Sequence, residues 1–68
     1  MTVASQVKQT IATLKGIEST LELYSLQSYN EDEKSVYNNS LDTTKKVIYD
    51  LEKRLKQLEY EEPQYKGL

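Results

Sequence analysis

Cysteine and histidine are both absent from this sequence of 68 residues, as are phenylalanine and tryptophan, and there is one proline and two glycines. Without cysteine there is no disulfide to staple a small fold and no thiolate to hold a metal, and the redox compartment leaves no mark. Without histidine the commonest general base and the commonest transition-metal ligand are missing. An excess of one charge is lacking too. Nine basic and eleven acidic residues give a net charge of −2 and are mixed along the chain. No basic face is therefore available to displace counterions from a nucleic acid. No apolar run approaches the ~18 residues of a membrane span, and no signal-peptide pattern precedes the first helical segment. The expectation is a soluble, cytoplasmic protein with no nucleic-acid partner and no direct membrane insertion.

What is present is helical periodicity. A seam with alternating steps of four and three runs through Val3, Val7, Thr10, Leu14, Ile17, Leu21 and Tyr24, widened on one side by Ala4 and Ile11. A second seam follows at Tyr37, Leu41, Thr44, Ile48, Leu51, Leu55 and Leu58. The two are out of phase, since extending the first would turn Ser28, Glu31, Ser35, Asn38 and Asp42 inward. The chain must break between them. In "SYNEDE", Asn30 has the character of an N-cap and Glu33 stands at the third helical position, a capping-box spacing, with Glu31 and Asp32 completing an acidic first turn. The spacing predicts helices over 3–28 and 31–62, joined so tightly that they must be antiparallel neighbours, with 63–68 as a tail. The fold class is all-α: a two-helix hairpin of residues 1–62. Its expected layers are Tyr24 on Tyr37, Leu21 on Leu41, Leu14 on Ile48, Val7 on Leu51 and Leu55, and Val3 on Leu58.

A hairpin of this length buries a small share of its surface and normally needs a partner. Leu23, Leu26, Val36 and Val47 lie off the seam, and the first three gather near the turn. Scattered surface apolars are ordinary, but a second hairpin packing there would complete a four-helix bundle. The favoured expectation is a homo-oligomer, a dimer in preference to a larger form. The six tyrosines suit half-covered surfaces, where the ring is buried and the hydroxyl stays wet.

Candidate chemical sites are few. The acids Glu31, Asp32 and Glu33 are explained as a helix start. Glu59, Glu61 and Glu62 oppose the helix dipole, which points to a cationic surface outside the hairpin or simply to solvated charge. Metal sites in helical bundles draw carboxylates and histidines from several helices, so the expectation is no metal and no cofactor. No side chain other than carboxylates and lysines is available to activate a nucleophile, so no enzyme activity is expected. Gly16 weakens the first helix and reads equally as a close approach by another backbone or as a tolerated weak point. Thr10 and Thr44 interrupt the seams, and either fix register or bond back to their own helices.

The closing stretch "EEPQYKGL" is unlike a fraying helix end. Pro63 should stop the second helix at about Glu62, and Leu58 opposite Met1 would leave Glu59 onward projecting past the hairpin. Tyr60, Tyr65 and Leu68 then have nothing in their own hairpin to pack on, and Gly67 permits a bend. Disorder is the ordinary fate of a terminus; docking through Tyr65 and Leu68, with Pro63 setting the exit angle, is the alternative favoured here. The expected interaction residues are thus Tyr60, Pro63, Tyr65 and Leu68 on the tail side and Leu23, Leu26 and Val36 near the turn.

"VKQTIATLKGIESTLE" at 7–22 and "EEPQYKGL" at the end, with "MTV" at the start and "LEKRLKQLE" at 51–59, together resemble a family of small bacterial proteins, domain of unknown function 1657. The final Leu68 departs from the Phe expected of that family. The resemblance implies a protein of spore-forming Firmicutes whose genes lie near those of spore membrane proteins, including the dipicolinic acid channel. It implies a link to sporulation, spore resistance or germination, and no activity. The reading that results is a non-catalytic, spore-associated helical structural or interaction protein. Its rivals are an adaptor whose tail binds the cytosolic face of a membrane protein, and a regulator that sequesters another helical protein.

Overall fold

The computed structural model describes residues 2–61. Two helices, α1 (Val3–Gln27) and α2 (Glu31–Glu61), are joined by residues 28–30 and packed against each other as an antiparallel hairpin. Each helix begins on a side chain that satisfies orphan amides. Thr2 Oγ1 accepts from the Ser5 N–H at 3.0 Å. Asn30 Oδ1 accepts from the N–H groups of Asp32 at 2.8 Å and Glu33 at 3.2 Å. The Glu33 carboxylate does not complete a capping box; it accepts from the Tyr37 hydroxyl instead, at 3.4 Å. Ser28 leaves α1 in an extended conformation, its N–H still bonded to the Ser25 carbonyl, so α1 ends one residue before the expected Ser28. Glu62 and the tail, with Pro63, Tyr65 and Leu68, lie outside the described residues.

The seam of α2 runs as its spacing predicts. Ile48 is buried, and Tyr37, Leu41, Thr44, Leu51, Leu55 and Leu58 are half-buried. The seam of α1 differs from expectation by one residue in every second step. Val7, Leu14 and Leu21 are half-buried as expected, but the positions between them are Ala4, Ile11, Glu18 and Ser25, not Val3, Thr10, Ile17 and Tyr24. Ile11 is 7% exposed and Ile17 45%. Val3 is correspondingly half-exposed, and Ala4 is the buried residue at this end of α1. The physical reason lies in close packing. Small residues let two helix backbones approach, and the buried positions at the two ends of the α1 seam are the small residues Ala4 and Ser25.

The threonines in the seams do not reach across. Thr10 bonds back to the Gln6 carbonyl at 3.0 Å and Thr44 to that of Ser40 at 2.8 Å, which answers the register question in favour of self-bonding. The hairpin measures 49 × 16 × 12 Å, with a radius of gyration of 15.3 Å, against about 11 Å for a compact domain of this length. Its smallest dimension is that of one helix. Every core contact lies on a single line between two helices.

Candidate interaction surface

The turn end carries the best-formed side-chain contacts. The rings of Tyr24 and Tyr37 lie 5.7 Å apart, tilted by 53°, a geometry that sets the edge of one ring towards the face of the other. Beside them the hydroxyl of Ser25 donates to Asn38 Oδ1 at 2.7 Å, and Ser25 is buried. This polar contact between the helices was absent from the apolar seam drawn on sequence. The signal for it was the seven-residue repeat begun by Ala4 and Ile11, which continues through Glu18 to Ser25. An open groove of about 330 Å³ lies over the turn between Tyr24, Tyr29, Asn30 and Tyr37. Partial desolvation, and then the charge and hydrogen bond of Glu33, push the Tyr37 phenol above its ordinary value. A phenol held protonated in this way is no nucleophile near neutral pH.

Of the predicted interaction residues, Leu23, Leu26, Val36 and Tyr60 are exposed, and the three near the turn do not form one patch; Pro63, Tyr65 and Leu68 lie outside the described residues. Leu26 is 82% exposed and borders a groove with Ser25, Asn38 and Leu41. Val36 is also exposed, but it lies two residues from Asn38, about 200° round the helix, and so faces away from that groove. Leu23 is exposed on α1 opposite the seam. All three are near the turn in height, while the helical twist spreads them over different faces. Tyr60 is 85% exposed near the end of α2.

The long edges of the hairpin are unlike each other. One is bridged by Lys8 to Glu59 and by Lys15 to Glu52, each at 3.3 Å. Glu59 therefore finds its cation inside its own hairpin and is half-buried; the expected overhang does not begin there. Glu61 accepts from the Gln57 side chain at 3.1 Å. The opposite edge carries half-exposed Val3, Ile17 and Tyr24 from α1 and Val47 from α2. Among the described residues no group of three or more Asp or Glu converges on a point where a cation would sit, and no helix is long and apolar enough to cross a membrane.

No curated protein and no solved structure matches the chain significantly. A family model does, that of Protein of unknown function (DUF1657), over residues 7–55. The match covers most of both helices, the turn and both ion-paired lysines, well over half of the sequence. On that match, the chain belongs to the DUF1657 family.

Proposed function

We propose that this protein is a non-catalytic helical interaction protein that works by self-association into a bundle, and that it serves in the spore or in spore formation. One observation supports the self-association reading above others: the apolar side chains buried in the hairpin are Ala4, Ile11 and Ile48, while Leu23, Leu26, Tyr29, Val36, Tyr49 and Tyr60 are at least half exposed. A single line of contact leaves more large apolar surface outside than inside, and a second hairpin would cover it. The spore assignment rests on the family resemblance alone.

Sedimentation equilibrium at micromolar concentration tests the central claim. A homo-oligomer, with a dimer as the expected form, is the supporting result, and a folded monomer of 7.9 kDa overturns it. A second reading, an adaptor bound to the cytosolic face of a spore membrane protein, is favoured by the exposure of Tyr60 where α2 approaches the tail. Deleting residues 63–68 separates the two. Loss of capture by the membrane fraction with sedimentation unchanged supports the adaptor; unchanged capture rejects it.

A further inference from the structure

The two long edges are the broad sides of the hairpin, on which both helices show, and they are finished differently. One is closed by the Lys8–Glu59 and Lys15–Glu52 pairs. The other forms no ion pair among the described residues. There Ile17 and Tyr24 of α1 stand beside Val47 of α2, each between 41% and 47% exposed, with Val3 further along the same side. Val36 is exposed as well and precedes Val47 by eleven residues, about three helical turns, which sets both on one side of α2. Helix α1 brings no charge to this side, since its other residues there are Gln6, Thr10, Thr13 and Thr20. Large apolar side chains from both helices thus gather where charge is scarce, and depletion of charge marks the core of an interface.

Symmetry, charge and area together identify the occupant. The Lys15–Glu52 and Tyr24–Tyr37 pairs bracket Ile17 and Val47 and bring them level. Each lies within two residues of the middle of its helix, so a two-fold axis drawn across them maps the hairpin onto its own length. Charge divides at the same level. On the turn side of Ile17 and Val47, six acids stand against three lysines, a net charge of −3. On the far side, five cations stand against four acids among the described residues, a net charge of +1. The broad side measures 49 × 16 Å, an outline of about 800 Å², which is the share one partner gives to an interface of standard size.

We propose that a second copy of the chain packs on this side turned end for end, making a four-helix bundle whose two-fold axis crosses both helices at Ile17 and Val47. The inference rests on the self-association reading and names its surface and its orientation. The rotation sets Ile17 on Ile17 and Val47 on Val47, an apolar layer at the centre of the bundle. Tyr24 of each copy then lies over Thr10 of the other, and Arg54 lies over Ser40, where a cation meets a hydroxyl instead of a second cation. Two copies with their turns together would stack one −3 half on the other. End for end, each acidic half lies against a basic one. Of the exposed apolar side chains of α2, this arrangement covers Val36 and Val47; Tyr49 already lies beneath Lys53, and Tyr60 leads into the tail.

The chain has no cysteine, so single-cysteine variants treated with a short bis-maleimide report which positions meet. Ile17→Cys and Val47→Cys should each cross-link into a covalent dimer, because both positions straddle the axis. Tyr29→Cys, at opposite ends of the bundle in the two copies, should not. Sedimentation gives the second reading. Ile17→Lys and Val47→Lys should each weaken self-association by about tenfold or more, whereas Asn39→Lys, on the outer side of α2, should leave it unchanged. Ile17 and Val47 are solvated in the single hairpin, so neither change removes a contact of its own seam, and the near-isosteric Val47→Cys reports even if the lysine variants unfold. Cross-linking of Tyr29→Cys without that of Ile17→Cys and Val47→Cys overturns the end-for-end orientation. Association as tight as wild type in both lysine variants overturns this surface while leaving the self-association reading intact. A monomeric wild type overturns both.

Discussion

The two helices share one seam and differ in what lies behind it. On α2 the residues turned outward include Asp42, Lys46, Asp50 and Lys53 among uncharged Asn39, Thr43 and Gln57, with Lys53 over the ring of Tyr49 at 5.4 Å, a side largely suited to water. On α1 they are glutamine, threonines, serine, alanine, glycine and the half-exposed Leu23. Both helices are amphipathic enough to find each other, but the outward side of α1 lacks the charges that α2 carries. The contrast separates two properties that a hydrophobic stripe alone confounds: which side of a helix meets its sister, and which side meets nothing inside the chain.

The sharpest way to break the contrast is to truncate the two isoleucines of α1. Ile11→Ala removes a buried seam side chain and should destabilise by about 2–5 kcal/mol in urea unfolding. Ile17→Ala, on the half-exposed shoulder, should cost about 1 kcal/mol or less. Equal losses would mean that the seam of α1 runs where the apolar count first placed it. A smaller effect is expected along the ion-paired edge. Lys15→Glu sets like charges opposite Glu52 and should lower stability by about 0.2–1 kcal/mol at low salt, and added salt should erase the difference. The edge is merely decorative if the variant unfolds with wild type at every salt concentration.

The smallest effect concerns the turn. Tyr37 holds its proton more tightly in the folded chain than in the unfolded one, through partial desolvation and then Glu33. That contribution to stability is complete below the unfolded tyrosine value near 10 and is lost as pH rises through the higher folded value. Ultraviolet titration should show one phenol ionising above the ordinary tyrosine range, and Tyr37→Phe should abolish that step. If the late step survives the substitution, it belongs to another tyrosine.

Most of the architecture was legible because two local signals agreed. The phase reset required a break, and Asn30 with Glu31, Asp32 and Glu33 placed it. The seam of α2 was also legible, since one stripe there is apolar and the rest is charged. On α1 two stripes share Val7, Leu14 and Leu21 and differ between them. Counting apolar side chains favours Val3 and Ile17 over Ala4 and Glu18, while the packed pair uses the second set; at the turn Tyr24 does pack on Tyr37 as expected, beside the more deeply buried Ser25. The count failed because apolar residues on α1 are not confined to the face that meets α2. The Ser25–Asn38 bond was hidden for a related reason: a polar pair inside a seam has no hydrophobic signature. Sequence placed Leu23, Leu26 and Val36 at the correct height but not on separate faces, because height follows from residue number and facing from the twist of two helices at once.

The three-residue connection also orders the assembly of the hairpin in time. Ser25 and Asn38 are separated by 13 positions, whereas Lys8 and Glu59 stand almost at opposite ends of the chain. Closing the distant pair first would cost roughly 1 kcal/mol more in loop entropy than closing the near one. The near pair, with the tilted tyrosine pair and the Asn30 cap, is therefore expected to form first, and each layer added brings the next within reach. Such a zipper has low contact order and folds quickly. It should open from the far end, beyond the Lys8–Glu59 ion pair, so the turn is expected to be the last part of the molecule to let go.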